Sequence, residues 1–91
     1  MHQYPTVTVH GASCEGMDVR WQDGPILRDM FNGCTVEALI RAAFLRLGHL
    51  NQEMPSEFNN QAMEHLTAAL HALDARTADR FKRGVMGTEQ A

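Results

Sequence analysis

An α+β fold, an N-terminal antiparallel β-ribbon followed by an antiparallel two-helix hairpin, is predicted from three observations. Apolar and polar residues alternate between Thr6 and Gln22, the period turns helical from Val36, and Pro55 divides the helical half in two. The 91 residues make a single domain, 1–91, of a size at which an isolated core is only marginally sufficient, so an oligomer is expected.

The β-ribbon is placed at about 6–22. Val7 and Val9 alternate with Thr6, Thr8 and His10, then Met17, Val19 and Trp21 alternate with Asp18, Arg20 and Gln22. Gly11-Ala12-Ser13-Cys14-Glu15-Gly16 reads as the turn between them, and Pro25, which has no N–H for the ladder, closes the second strand. Two strands alone are marginal and need a packing partner. A helix follows over about 36–51, with Thr35 as N-cap and Val36, Leu39, Ile40, Ala43, Leu47 and Leu50 on one face. Ala38, Ala42 and Leu45 form a second apolar line, more than one packing partner requires, so this helix is expected to touch another subunit. After Pro55, Ser56 caps a helix over about 57–83, whose apolar line is Phe58, Ala62, Met63, Leu66, Ala69, Leu70, Leu73 and Thr77. Gly84 supplies a C-cap, and 87–91 form a frayed tail. The short link makes the helices antiparallel neighbours.

Composition narrows the function classes. Hydrophobic residues at 44% and charged residues at 21% describe an ordinary globular chain. No apolar run approaches the roughly 20 residues that span a bilayer, and Met1-His2-Gln3-Tyr4-Pro5 lacks a signal-peptide profile, so the expectation is a cytoplasmic protein without a membrane partner. Cys14 and Cys34 are too far apart for a Cys-x-x-Cys site and read as reduced thiols. A net charge of -3 argues against duplex DNA as a partner. Half of the basic side chains, Arg76, Arg80, Lys82 and Arg83, nevertheless fall in the last helix and its end, which leaves room for a local anion site.

Candidate chemistry concentrates there. The chain has no phosphate-binding glycine loop, nucleophile elbow or His-Glu-x-x-His motif, and the five histidines are scattered, with His65 and His71 six apart and so on different sides of a helix. No catalytic or metal site is expected. Arg76, Arg80 and Arg83 follow i, i+4, i+7, which aligns three guanidinium groups on one face; such forks grip phosphate oxygens bidentately and stack on purines. The same residues would also complement the helix dipole, and Asp79 could pair with Arg83. Asn59 lies in the first turn of the helix, where backbone donors favour an anion and an amide can bond base edges or ribose hydroxyls. Seventeen residues separate Asn59 from Arg76, about 25 Å along a helix, so one small ligand can meet both only if two chains pair antiparallel.

Trp21-Gln22-Asp23-Gly24-Pro25, Asn32-Gly33, Asn59 and the string Arg76-Thr77-x-Asp79-Arg80-x-x-Arg83-Gly84-Val85-x-Gly87-Thr88 together resemble the phage anti-Thoeris protein family, which shares a helical-hairpin domain with phage anti-CBASS cyclic-nucleotide sponges. The likeness runs from about Val19 to Thr88. It implies a phage protein, acting in the bacterial cytoplasm without a cofactor, that binds cyclic ADP-ribose isomers made by TIR-domain enzymes and does not cleave them; some relatives take cyclic di- or trinucleotides. It also implies a homo-oligomer, either a dimer or a hexamer of three dimers, with pockets between subunits. Carried over by position, Asn59 and Arg76 are pocket residues, and Arg80 and Arg83 further phosphate contacts. Arg28, in the strand-to-helix connection, and His49, where relatives carry an aromatic ring that can stack on adenine, complete the candidate set. The chain departs from the pattern at Glu57-Phe58-Asn59-Asn60, where relatives open the second helix with Arg-Glu-Asn-Ala, and at Ala72 and Met86 in place of tryptophan and glutamate.

Sequestration by binding is therefore the leading expectation. A phage interaction or regulatory module whose hairpin docks a host protein is the alternative, with the arginines as surface charge. A signal-cleaving enzyme would need an activated base or nucleophile that the sequence does not offer.

Overall fold

The computed structural model describes residues 2–24 and 30–82; Pro25 to Asp29, with Arg28 among them, and Arg83 to Ala91, with Gly84 and the tail 87–91, lie outside the described residues. The described residues divide into two compact units, one ending at Thr35 and the other beginning at Val36. The element order bears out the expected α+β class: strands first, then two helices.

The first unit is a three-stranded antiparallel sheet, with β1 (Thr6–Val7), β2 (Gly11–Cys14) and β3 (Met17–Arg20) in that order. This corrects the two-stranded reading, because most of the segment taken as a turn is the central strand. Thr6 pairs with Ser13 and Val7 with Ala12, while Ala12 pairs with Val19 and Cys14 with Met17. Small side chains are what β2 requires: a Cβ on Gly11 would fall on the carbonyl oxygen of Val19, and Ala12 is the buried residue of the sheet. The β2–β3 turn is only Glu15-Gly16, where Gly16 takes a φ of 85° that an L side chain resists. The β1–β2 turn is held by Thr8, whose Oγ1 accepts from the N–H groups of His10 (3.1 Å) and Gly11 (3.2 Å). Val7 and Val9, read as the apolar positions of the first strand, are both exposed: β1 ends at Val7, and Val9 sits in that turn.

Past β3 the chain is clamped by its own return. Trp21 forms a parallel bridge with Cys34; the Cys34 N–H donates to Arg20 O at 2.7 Å and the Gln22 N–H to Cys34 O at 2.9 Å. The Asn32 amide imitates another strand: its Oδ1 accepts from Asp23 N (2.8 Å) and its Nδ2 donates to Asp23 O (2.7 Å). Gln22 Oε1 accepts from Asn32 N at 3.0 Å. The indole of Trp21 donates to Thr8 O at 3.1 Å, tying the return to the β1–β2 turn.

The second unit is a hairpin of α1 (Val36–Glu53) and α2 (Glu57–Lys82). Neither is long and apolar enough to cross a membrane. Half-buried residues of α2 step by four and three through Asn59, Met63, Leu66, Leu70, Leu73, Thr77 and Arg80, the spacing by which one helix keeps a seam against another. On α1 the answering seam is Glu37, Ile40, Phe44, Leu47 and Asn51. The expected α2 line holds except for Phe58, which is exposed, whereas on α1 the seam turns toward Phe44 and leaves Val36, Ala43 and Leu50 exposed. The second apolar line of α1, Ala38, Ala42 and Leu45, is exposed throughout.

Candidate functional site

Both seams are apolar in the middle and polar at the ends, so the hairpin carries two polar clusters at opposite ends. At the closed end Asn51 Oδ1 accepts from the Ser56 N–H at 2.9 Å and Asn51 Nδ2 donates to Asn60 Oδ1 at 3.0 Å. Ser56 caps α2 as expected, its Oγ accepting from Phe58 N at 3.2 Å. Asn59, half-buried in the seam, donates from Nδ2 to Asn51 Oδ1 at 3.4 Å. Its amide thus already helps tie the turn. His49 projects outward and meets Glu53 one turn on, at 3.4 Å.

At the open end Arg76 stands 3.6 Å from Glu37, in the first turn of α1. Four residues on, Arg80 continues the seam, and its Nε is shielded from solvent with no hydrogen-bond partner among the described residues. A shielded N–H without an acceptor costs free energy until something supplies one. With Lys82 in the last turn, the end of α2 is cationic and holds at least one unused donor. Arg76 and Arg80 stand one helical turn apart at the same end of α2, the first exposed and the second half-buried, a helix length from Asn59 and His49; Arg28 and Arg83 lie outside the described residues.

Two concavities flank these groups in sequence without containing them. A groove of about 470 Å³ on the hairpin is lined by Phe44, Glu57, Asn60, Met63, Glu64 and Thr67. Its two carboxylates make it a poor seat for a phosphate and a good one for a cation. In the sheet unit a hollow of about 530 Å³ is lined by Val9, His10, Arg20, Trp21, Gln22, Asp23 and Asn32. Sequence reasoning did not select these residues as a site, although the only tryptophan of the chain beside an arginine was the available signal.

A small antiparallel sheet followed by a helical hairpin with a cationic open end defines a helical-hairpin α+β protein. Residues 15–78 match the family model described as Acb2/Tad1, hairpin domain. Thoeris anti-defense 1 of Bacillus phage SBSphiJ7 is 36% identical over 85 residues, which cover 92% of this chain and 60% of that protein's length. The chain belongs to this phage anti-Thoeris family, and its hairpin is the Acb2/Tad1 hairpin domain. No solved structure matches it.

Proposed function

We propose that this chain is a phage anti-defence protein that binds a cyclic nucleotide immune signal and holds it intact, in pockets completed by a second copy of the chain. Cyclic ADP-ribose isomers are the first class of ligand, cyclic di- and trinucleotides the second. The observation that carries this reading is the cationic end of α2, where Arg76 and the unsatisfied Arg80 sit four residues apart in a chain related to a Thoeris anti-defence protein. Two guanidinium groups at that spacing suit adjacent phosphates such as the pyrophosphate of a cyclic ADP-ribose.

Two observations support a second copy. Asn59 and Arg76 are about 25 Å apart along α2, too far for one small ligand. The hairpin also leaves apolar side chains uncovered, with Val36 53%, Leu45 69% and Phe58 80% exposed, surface that a second copy could cover. An antiparallel pairing of two α2 helices would set the acidic groove at Glu57 and Glu64 against the cationic end of the partner and bring an Asn59 near an Arg76.

Isothermal titration against cyclic ADP-ribose isomers and a panel of cyclic di- and trinucleotides tests the reading, followed by heat denaturation and chromatography of the released ligand. Nanomolar binding, about -12 kcal/mol, with unmodified ligand returned is the expected result. Altered ligand would make the protein an enzyme. No binding to any of them would favour docking of a host protein on the exposed apolar residues.

A further inference from the structure

Arg76 enters the proposed site already paired. Its terminal nitrogen lies 3.6 Å from a Glu37 oxygen, close enough for charge compensation and longer than a hydrogen bond, so the carboxylate neutralises the guanidinium without occupying its donor fork. The pair is only partly shielded, with the arginine side chain 43% and the glutamate 29% exposed. Glu37 is the acidic residue in the N-terminal turn of α1, where the helix dipole interacts favourably with a negative side chain. A phosphate arriving at Arg76 meets this fixed negative charge a few ångströms away. It must displace the carboxylate or bind against its repulsion, and both lower affinity.

We infer that Glu37 is an internal competitor for the anion site: it acts through Arg76 as a positioning residue, keeps the guanidinium compensated while the site is empty, and holds the affinity for phosphate ligands below what the two arginines could reach. Among the described residues the Nε of Arg80 has no such partner but is shielded from solvent, so Arg76 is the guanidinium whose charge has to be released. This inference rests on the reading that the open end of α2 binds phosphate.

Glu37→Gln keeps the shape and removes the charge. The full-length variant should bind both a cyclic ADP-ribose isomer and inorganic pyrophosphate roughly fivefold more tightly than the wild type, the scale of a partly exposed ion pair. The gain should shrink as salt is raised. In ¹⁵N–¹H spectra the Arg76 side-chain resonance should shift on the substitution alone and move further with pyrophosphate. A merely structural Glu37 would lower the melting temperature and leave affinity equal or weaker, which overturns the inference. Glu37→Asp, which retracts the carboxylate by one methylene, should bind between the two and serves as the measurement if the glutamine variant fails to fold; affinity equal to the wild type there also overturns it. Nanomolar binding of a cyclic nucleotide by the wild type with no gain in either variant removes Glu37 and leaves the sponge reading standing. Pyrophosphate binding that tightens in the variants, with no cyclic nucleotide bound, does the reverse, and no anion bound by any form removes both.

Discussion

Gly33 lies against the backbone it faces, and the cost of filling that space can be worked from distances. A Cβ there would fall on the carbonyl oxygen of Trp21, 2.5 Å from the carbonyl carbon and 2.8 Å from Arg20 O. All three are main-chain atoms of the strand extension, so no side chain can swing away. Gly33→Ala must push the return segment off, and the bonds in its path are Cys34 N to Arg20 O at 2.7 Å and Gln22 N to Cys34 O at 2.9 Å. Two lost backbone hydrogen bonds at about 1 kcal/mol each, with about 1 kcal/mol of residual strain, give about 3 kcal/mol. For a domain of this size that is a fall of roughly 12–20 °C in the unfolding midpoint. Trp21, the sole tryptophan, forms the bridge at this point, so its fluorescence reports the change both in emission wavelength and in the thermal transition. A variant whose emission and midpoint stay within about 2 °C of the wild type would show that the two segments separate without cost and that the clamp is not what fixes the Asn32-Gly33 return.

The same substitution at Gly48 should act with the opposite sign: a Cβ there meets only the mobile Met63 Cε at 3.4 Å, so Gly48→Ala should stabilise the hairpin by about 0.5–1 kcal/mol through helix propensity, read from thermal melts by circular dichroism. Asn51→Ala removes the acceptor for Ser56 N and the donor to Asn60, and should cost about 1–2 kcal/mol by the same assay; a change under about 0.3 kcal/mol would mean the turn holds without it. Arg76→Ala should weaken cyclic nucleotide binding about 10- to 100-fold in titration calorimetry while barely moving the melting temperature, because its ion pair is partly exposed. Leu45→Glu, on the uncovered face of α1, should shift the protein toward monomer in light scattering, and an unchanged mass would take Leu45 out of any self-association surface.

The helical half was legible because its signals are long and repeated. Pro55 and Ser56 fixed the break and the cap, and every residue of the line from Ala62 to Thr77 is half-buried, with Met63, Leu66, Leu70, Leu73 and Thr77 in the α2 seam itself. Phe44 was missed on α1 because Ala43 and Leu50 fit a single stripe equally well, and only the answering seam on α2 decides which of two apolar lines faces inward. The sheet half was harder for a physical reason. Strand signals rest on β-branched and aromatic residues, and β2 is built from Gly11, Ala12, Ser13 and Cys14, chosen for how closely backbones approach rather than for their side chains. The Asn32 clamp is similarly silent in the sequence, since an amide imitating a strand has no periodicity to detect.

The sequence proposes the candidate site by residue type and is silent on the state of those residues. Spacing alone aligned Arg76 with Arg80, and the resemblance singled out Asn59, but neither could reveal that each is already engaged within the hairpin, Arg76 by Glu37 and Asn59 by Asn51. These engagements link the two ends of α2 to the same requirement. A ligand drawing on Asn59 and Arg76 takes them from different chains, and it must offer each group at least as much as its present partner does. A neutral or singly charged ligand would gain little by exchanging one carboxylate for one anion at Arg76. Adjacent phosphates would gain more, because a second negative charge lies within the field of Arg80, one helical turn on from Arg76. If the proposed site binds phosphate, ligands with closely spaced phosphates are favoured, and replacing the pyrophosphate of a cyclic ADP-ribose by a single phosphodiester should lose roughly the 10-fold or more that one charge-assisted hydrogen bond commands. Equal affinity for the two in side-by-side titrations would place the selectivity in the base contacts and not in the arginines.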